Sequence, residues 1–106
     1  MFGRQVTLKL KANSATELTR IATDEILPIL RKQKGFRDET TFVAPERLEA
    51  IANSFWDTKA DAEAYGHTAY SEVLKTLSNV IDGTPIVKNF EFASSTLQQA
   101  ATSKLV

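Results

Sequence analysis

One histidine, one tryptophan, two tyrosines and an isolated asparagine are the side chains of this 106-residue chain whose types and spacing invite chemistry. His67 is the natural proton acceptor, because an unperturbed imidazole titrates near neutrality. It falls three residues before Tyr70 and seven before Leu74, so the three can share one helical face. Trp56 ends a short alternating stretch and is followed at once by an alanine-rich run, SFWDTKADAEAY at 54 to 65. Its indole can line a reactive pocket as a wall and N–H donor, or it can plug the core. Asn53 is the single polar residue on the face that carries Ile51 and Phe55. A buried amide requires partners, so it bonds either within a subunit interface or to a ligand. Tyr65 and Tyr70 supply phenolic donors, or pack amphipathically with their hydroxyls at a pocket edge. The candidates are therefore His67 and Trp56 as catalytic groups, with Asn53, Tyr65 and Tyr70 as substrate-binding groups.

Other chemistries lack their parts. There is no cysteine, hence no disulfide, thiolate nucleophile, iron–sulfur cluster or thiolate zinc site, and one histidine cannot found a histidine-based metal centre. Asp38 and Glu39 are adjacent on a strand and point to opposite faces, so they cannot act as a carboxylate dyad. Ser94, Ser95 and Thr96 have no histidine–acid arrangement that would nominate a nucleophile. Thirteen basic and thirteen acidic side chains cancel, which removes the global electrostatic reason to expect nucleic acid. Arg31, Lys32 and Lys34 are explained by complementing the negative end of a helix. No apolar run approaches the roughly 20 residues that span a bilayer, and the opening MFGRQVTLKLKANS lacks the apolar core of a signal peptide. The expectation is a cytoplasmic protein with no membrane, nucleic-acid, metal or cofactor partner.

The elements that must position these groups follow from periodicity. Val6, Leu8 and Leu10 alternate with Gln5, Thr7, Lys9 and Lys11, the pattern of a half-buried strand. Leu18, Ile21, Ala22, Ile26, Ile29 and Leu30 then recur at helical spacing behind a Ser14–Glu17 capping box. Pro28 should kink or divide this helix, and Gly35 should stop it in the left-handed conformation. FRDETTFVAPERLEAIANSFW reads as a hairpin turning at APER, its second strand running from Leu48 to Trp56 and apolar on both faces. Thr58 and Asp61 start a second helical segment that Gly66 can bend, Tyr70, Val73, Leu74 and Leu77 continue the stripe, and IVKNFEFAS is a last strand.

The order β-α-β-β-α-β predicts an α+β, ferredoxin-like fold: a four-stranded antiparallel sheet with helices on one face. One domain spans 1–96, with a tail at 97–106. Two helices cover only one face, yet several strands are apolar on both, so the open face predicts a twofold homodimer through the sheet.

EILPILRKQKGF closing the first helix, FW-T-ADAEAY after the third strand and IDGTPIVKNFEFASST at the end resemble the antibiotic biosynthesis monooxygenase (ABM) domain, over about residues 4 to 96. The resemblance implies a dimeric α+β barrel, with a pocket in each subunit between sheet and helices. It also implies a cofactor-independent monooxygenase that takes a small aromatic or polyketide-like compound able to become an electron-rich anion. Trp56 matches the tryptophan that commonly follows the third strand in that superfamily, and His67 lies where many members carry a histidine. The haem-degrading branch is not matched: the first strand has no asparagine, Tyr65 stands near the expected helical tryptophan, and no histidine lies around Lys75. A non-catalytic ligand-binding or regulatory dimer and a structural scaffold dimer with a filled core are the two other readings of this fold.

Overall fold

The computed structural model describes residues 1–94; the tail expected at 97–106 lies outside the described residues. Strand β1 (Phe2–Lys9) is central, antiparallel to β3 (Glu49–Trp56) on one side and β4 (Ile86–Glu91) on the other, and β2 (Phe36–Ala44) pairs with β3. The sheet order β2-β3-β1-β4 is the ferredoxin-like arrangement. Helices α1 (Ala15–Ile21), α2 (Leu27–Arg31), α3 (Lys59–His67) and α4 (Tyr70–Leu77) supply the residues that pack on one face.

Alternation sorts the strands between that packed face and an open one. Phe2, Arg4, Leu8, Ala50, Ser54 and Trp56 are buried on the helix side with Leu18, Ile21, Leu30, Val73 and Leu77. Three cross-strand rows occupy the open face. Phe42, Ile51, Thr7 and Ile86 are in register, as are Asp38, Phe55, Gly3 and Phe90. Between them runs a polar row of Thr40, Asn53, Gln5 and Lys88.

Pro28 does not break the first helix. The chain passes from α1 through a π-helical turn, Ala22–Ile26, into α2, which has Pro28 in its first turn. A proline lacks the N–H for the i−4 carbonyl and crowds it, and a widened turn is one way for a helix to absorb both. The Ser14–Glu17 capping box is not formed: Ser14 holds the N-cap position without a hydroxyl cap bond. Glu17 instead accepts from Arg20 at 3.0 and 2.7 Å, since a nearby guanidinium offers the carboxylate a charge-assisted pair. At α3 the cap is made, Thr58 Oγ1 accepting from the Asp61 N–H at 3.1 Å.

Two irregularities reset the hairpin. Leu48 takes a left-handed φ of 51° to close the turn after Pro45–Arg47, so the strand starts at Glu49 and not at Leu48. In β2 a bulge leaves Arg37 without a cross-strand partner between Phe36, opposite Trp56, and Asp38, opposite Phe55. Arg37 forms an ion pair with Asp57 just past the end of β3. Beyond the bulge the alternation is inverted, and Glu39 and Thr41 join Phe36 on the helix side.

Gly35 is left-handed as expected, at φ 80°, and a Cβ there would overlap the Asp61 carboxylate. Both strain and overlap oppose a side chain. Gly35→Ala should therefore lower unfolding stability by about 1–3 kcal/mol in a denaturant titration; an unchanged midpoint would show that the loop relaxes freely.

Candidate active site

Between the packed face of the sheet and the helices lies a cavity of about 50 Å³ that opens to solvent, several times what one buried water needs. Val6, Leu8, Leu18, Ile26, Val73 and Leu77 make much of its apolar wall, while Arg4, Glu39, Thr41, Ser54, Tyr65 and Tyr70 supply its polar groups. Such a mostly apolar space with a few polar groups is the usual make-up of a small-molecule site.

Tyr65 and Tyr70 both line this cavity. Their rings meet edge to face at 6.0 Å, one from α3 and one from the start of α4. Burial raises the pKa of both phenols, most strongly for Tyr65, against the opposing pull of the Arg4 charge. They are neutral O–H donors at physiological pH.

Trp56 is fully buried and is not part of the cavity wall. Its indole stacks on Tyr65 at 5.1 Å, meets Phe36 edge-on at 5.6 Å, and donates from Nε1 to Ser54 Oγ at 2.9 Å. The N–H that a ligand would need is already used, so Trp56 fills the core and backs Tyr65. His67 is exposed at the last residue of α3 and likewise does not line the cavity. The structure does not bring Trp56 and His67 together across a pocket. Asn53 contributes to the wall from its strand, but its side-chain Oδ1 accepts from Gln5 Nε2 at 3.2 Å in the polar row of the open face.

Four polar groups of the wall, Arg4, Glu39, Thr41 and Ser54, were not candidates from the sequence. Arg4 is only 8% exposed, its guanidinium 4.4 Å from the centre of the Tyr70 ring and 5.5 Å from that of Tyr65. Glu39 is partly buried and accepts from Thr41 Oγ1. Desolvation raises its pKa, with Asp38 adding to the rise and the Thr41 hydrogen bond opposing it. Ser54 is buried, receives the indole proton and faces the same space. A signal for Arg4 was available: it continues the inward alternation of Leu8 and Val6 by one more step, which puts a charge where a hydrophobe belongs. Glu39 had no comparable signal, because the bulge reverses its face.

No family model matches the chain, and no curated protein matches it by sequence. Solved structures do match it in fold. A monooxygenase from Streptomyces coelicolor, determined in complex with nanaomycin D, superposes with a TM-score of 0.74 at 17% identity over 91% of this chain and 90% of that one. The cofactor-independent oxygenase SnoaB from Streptomyces nogalater gives 0.69 at 11% identity, covering 91% and 96% of the two chains. A protein of unknown function from Nitrosomonas europaea gives 0.72 at 13% identity, covering 91% and 92%. At such identities the likeness concerns the fold alone: this chain shares the α+β fold of these proteins.

Proposed function

We propose that this chain is a cofactor-independent monooxygenase acting on a small phenol- or hydroquinone-type aromatic held in the cavity. The observation that carries the reading is the convergence of a partly buried proton acceptor, Glu39, and a buried cation, Arg4, on one largely apolar space. The fold neighbours that are oxygenases support it.

The chemistry asks three things of the protein: hold the ring, take a proton, and stabilise the anion away from water. The apolar wall holds the ring. Glu39, its pKa raised by burial, accepts the phenolic proton. The phenolate then reduces dioxygen. In the balanced reaction a phenol with a free para position, or a hydroquinone with a free ring position, and O2 give a quinone or a hydroxyquinone, respectively, and water: one oxygen atom is kept in the product, the other leaves as water, and all four electrons come from the substrate. Trp56 supports Tyr65 from behind, and His67 stands outside the reacting centre.

The working unit in this proposal is a homodimer formed through the open sheet face. Phe42, Ile86 and Phe90 are 64%, 59% and 52% exposed in the single chain. They sit in the two apolar rows that flank the Gln5–Asn53 hydrogen bond. An apolar patch of that extent marks an association surface, and a second copy offers the same rows in return.

Oxygen-electrode assays with phenols and hydroquinones test the activity. Uptake matched by quinone, without hydrogen peroxide, is expected; tight binding with no uptake would reassign the chain as a binder. Glu39→Gln should lower kcat/KM by about 10²–10⁴-fold and abolish the acid limb of its pH profile, because only the ionised carboxylate accepts a proton. Stability gives a second readout with a fixed sign. A raised folded-state pKa means Glu39 contributes stability below its ordinary carboxylate value, and this is lost as pH rises through the raised one. Thermal unfolding of Glu39→Gln should therefore show a smaller fall with rising pH than wild type. For the dimer, light scattering should give twice the chain mass for wild type and a monomer for Phe42→Glu with Phe90→Glu; a monomeric wild type at micromolar concentration would sink that assembly.

A further inference from the structure

Arg4 is a buried cation whose desolvation folding offsets only in part. It is more than nine-tenths buried, its Nε has no hydrogen-bond partner, and none of the ion pairs among the described residues includes it. Contacts with two tyrosine rings offset only part of the cost of taking a guanidinium out of water. Glu39 lines the same cavity, but its carboxylate is engaged by Thr41 and makes no ion pair with Arg4.

The site is nevertheless shaped around this cation. Gly66 lies inside α3, where glycine weakens a helix. A Cβ at that position would come within 3.1 Å of Arg4 Nη1 and 3.5 Å of Cζ, so the guanidinium packs tightly against this bare stretch of helix and would have to shift by a few tenths of an ångström to admit a side chain. Tyr70 covers the group at 4.4 Å from its ring centre. A guanidinium seated on a ring keeps its in-plane N–H groups for an acceptor, and such a fork matches a carboxylate or another oxyanion.

We propose that Arg4, seated between Gly66 and Tyr70, is the recognition group for an oxyanion, the carboxylate or ionised phenol of a planar aromatic ligand, at the polar end of the cavity. This rests on the reading of the cavity as a ligand site and names the ligand class that it selects. Arg4 then completes its charge balance only when ligand is bound.

Two probe pairs test it on the full chain. Calorimetric titration compares benzoate with its neutral isostere benzamide, and the visible absorbance of 4-nitrophenol reports whether the bound form ionises at lower pH than the free one. Wild type should prefer benzoate by about tenfold or more, or shift the 4-nitrophenol midpoint down by about one pH unit. The first result assigns a carboxylate, the second a phenol. Arg4→Gln should abolish the preference while still binding benzamide, with a melting temperature equal to or above wild type, because an unpaired buried charge has gone. Gly66→Ala keeps the charge but displaces the guanidinium, so it should weaken the preference even if Arg4→Gln fails to fold. Equal affinity for charged and neutral probes, or a preference that survives in both variants, overturns the oxyanion site and leaves the cavity as a ligand site. Binding of no probe overturns both.

Discussion

The stacking of Trp56 on Tyr65 ties the sheet to the helical layer, and the polar end of the cavity is arranged around it. Trp56 ends β3, Tyr65 lies in the last turns of α3, and 5.1 Å separates their rings. Phe36 closes one side of the indole and Ser54 takes its N–H, so the indole has no hydrogen-bonding capacity left for a ligand. From there the aromatic series runs outward to Tyr70, and Arg4 rests over the last two rings. An indole buried in this way limits how Tyr65 can move, and through Tyr65 it sets where the cation sits. The tryptophan acts on the site from behind it.

The opposite constraint governs the other side of the sheet. The helices bury one face, while Phe42, Ile51, Phe55, Ile86 and Phe90 are left on the other around a polar row whose centre is the Gln5–Asn53 hydrogen bond. A chain of this size needs a large buried fraction to be stable, and an uncovered sheet face works against that. The polar row gives the face a direction, because a mate must match its hydrogen-bonding groups as well as its two apolar rows. One strand pair thus serves two surfaces, the even-numbered residues of β3 facing the cavity and the odd-numbered ones facing outward.

Two small backbone events decide what the cavity contains. The bulge at Arg37 moves Glu39 and Thr41 to the helix side, where simple alternation from Phe36 would have placed Asp38. The π-helical turn lets the helix continue past Pro28, so Leu18, Ala22, Ile26 and Leu30 all stay against the cavity. Neither event is visible as a periodicity, because a bulge and a widened turn each insert one residue into an otherwise regular count.

Element type, element order and the doubly apolar character of the sheet were legible in the residues themselves, since side-chain periodicity follows directly from backbone geometry. The left-handed turn at Gly35 and the Thr58 cap were legible for the same local reason. Tyr65 and Tyr70 line the cavity, whereas His67, chosen for its chemistry, stands exposed at a helix end. What only the tertiary structure decided is which polar groups share a space: Arg4 from the first strand, Glu39 from the second, Ser54 from the third and the tyrosines from the helices. Their meeting depends on strand register, on one bulge and on the absence of a side chain at Gly66. Those are properties of the packed whole, which no local pattern encodes.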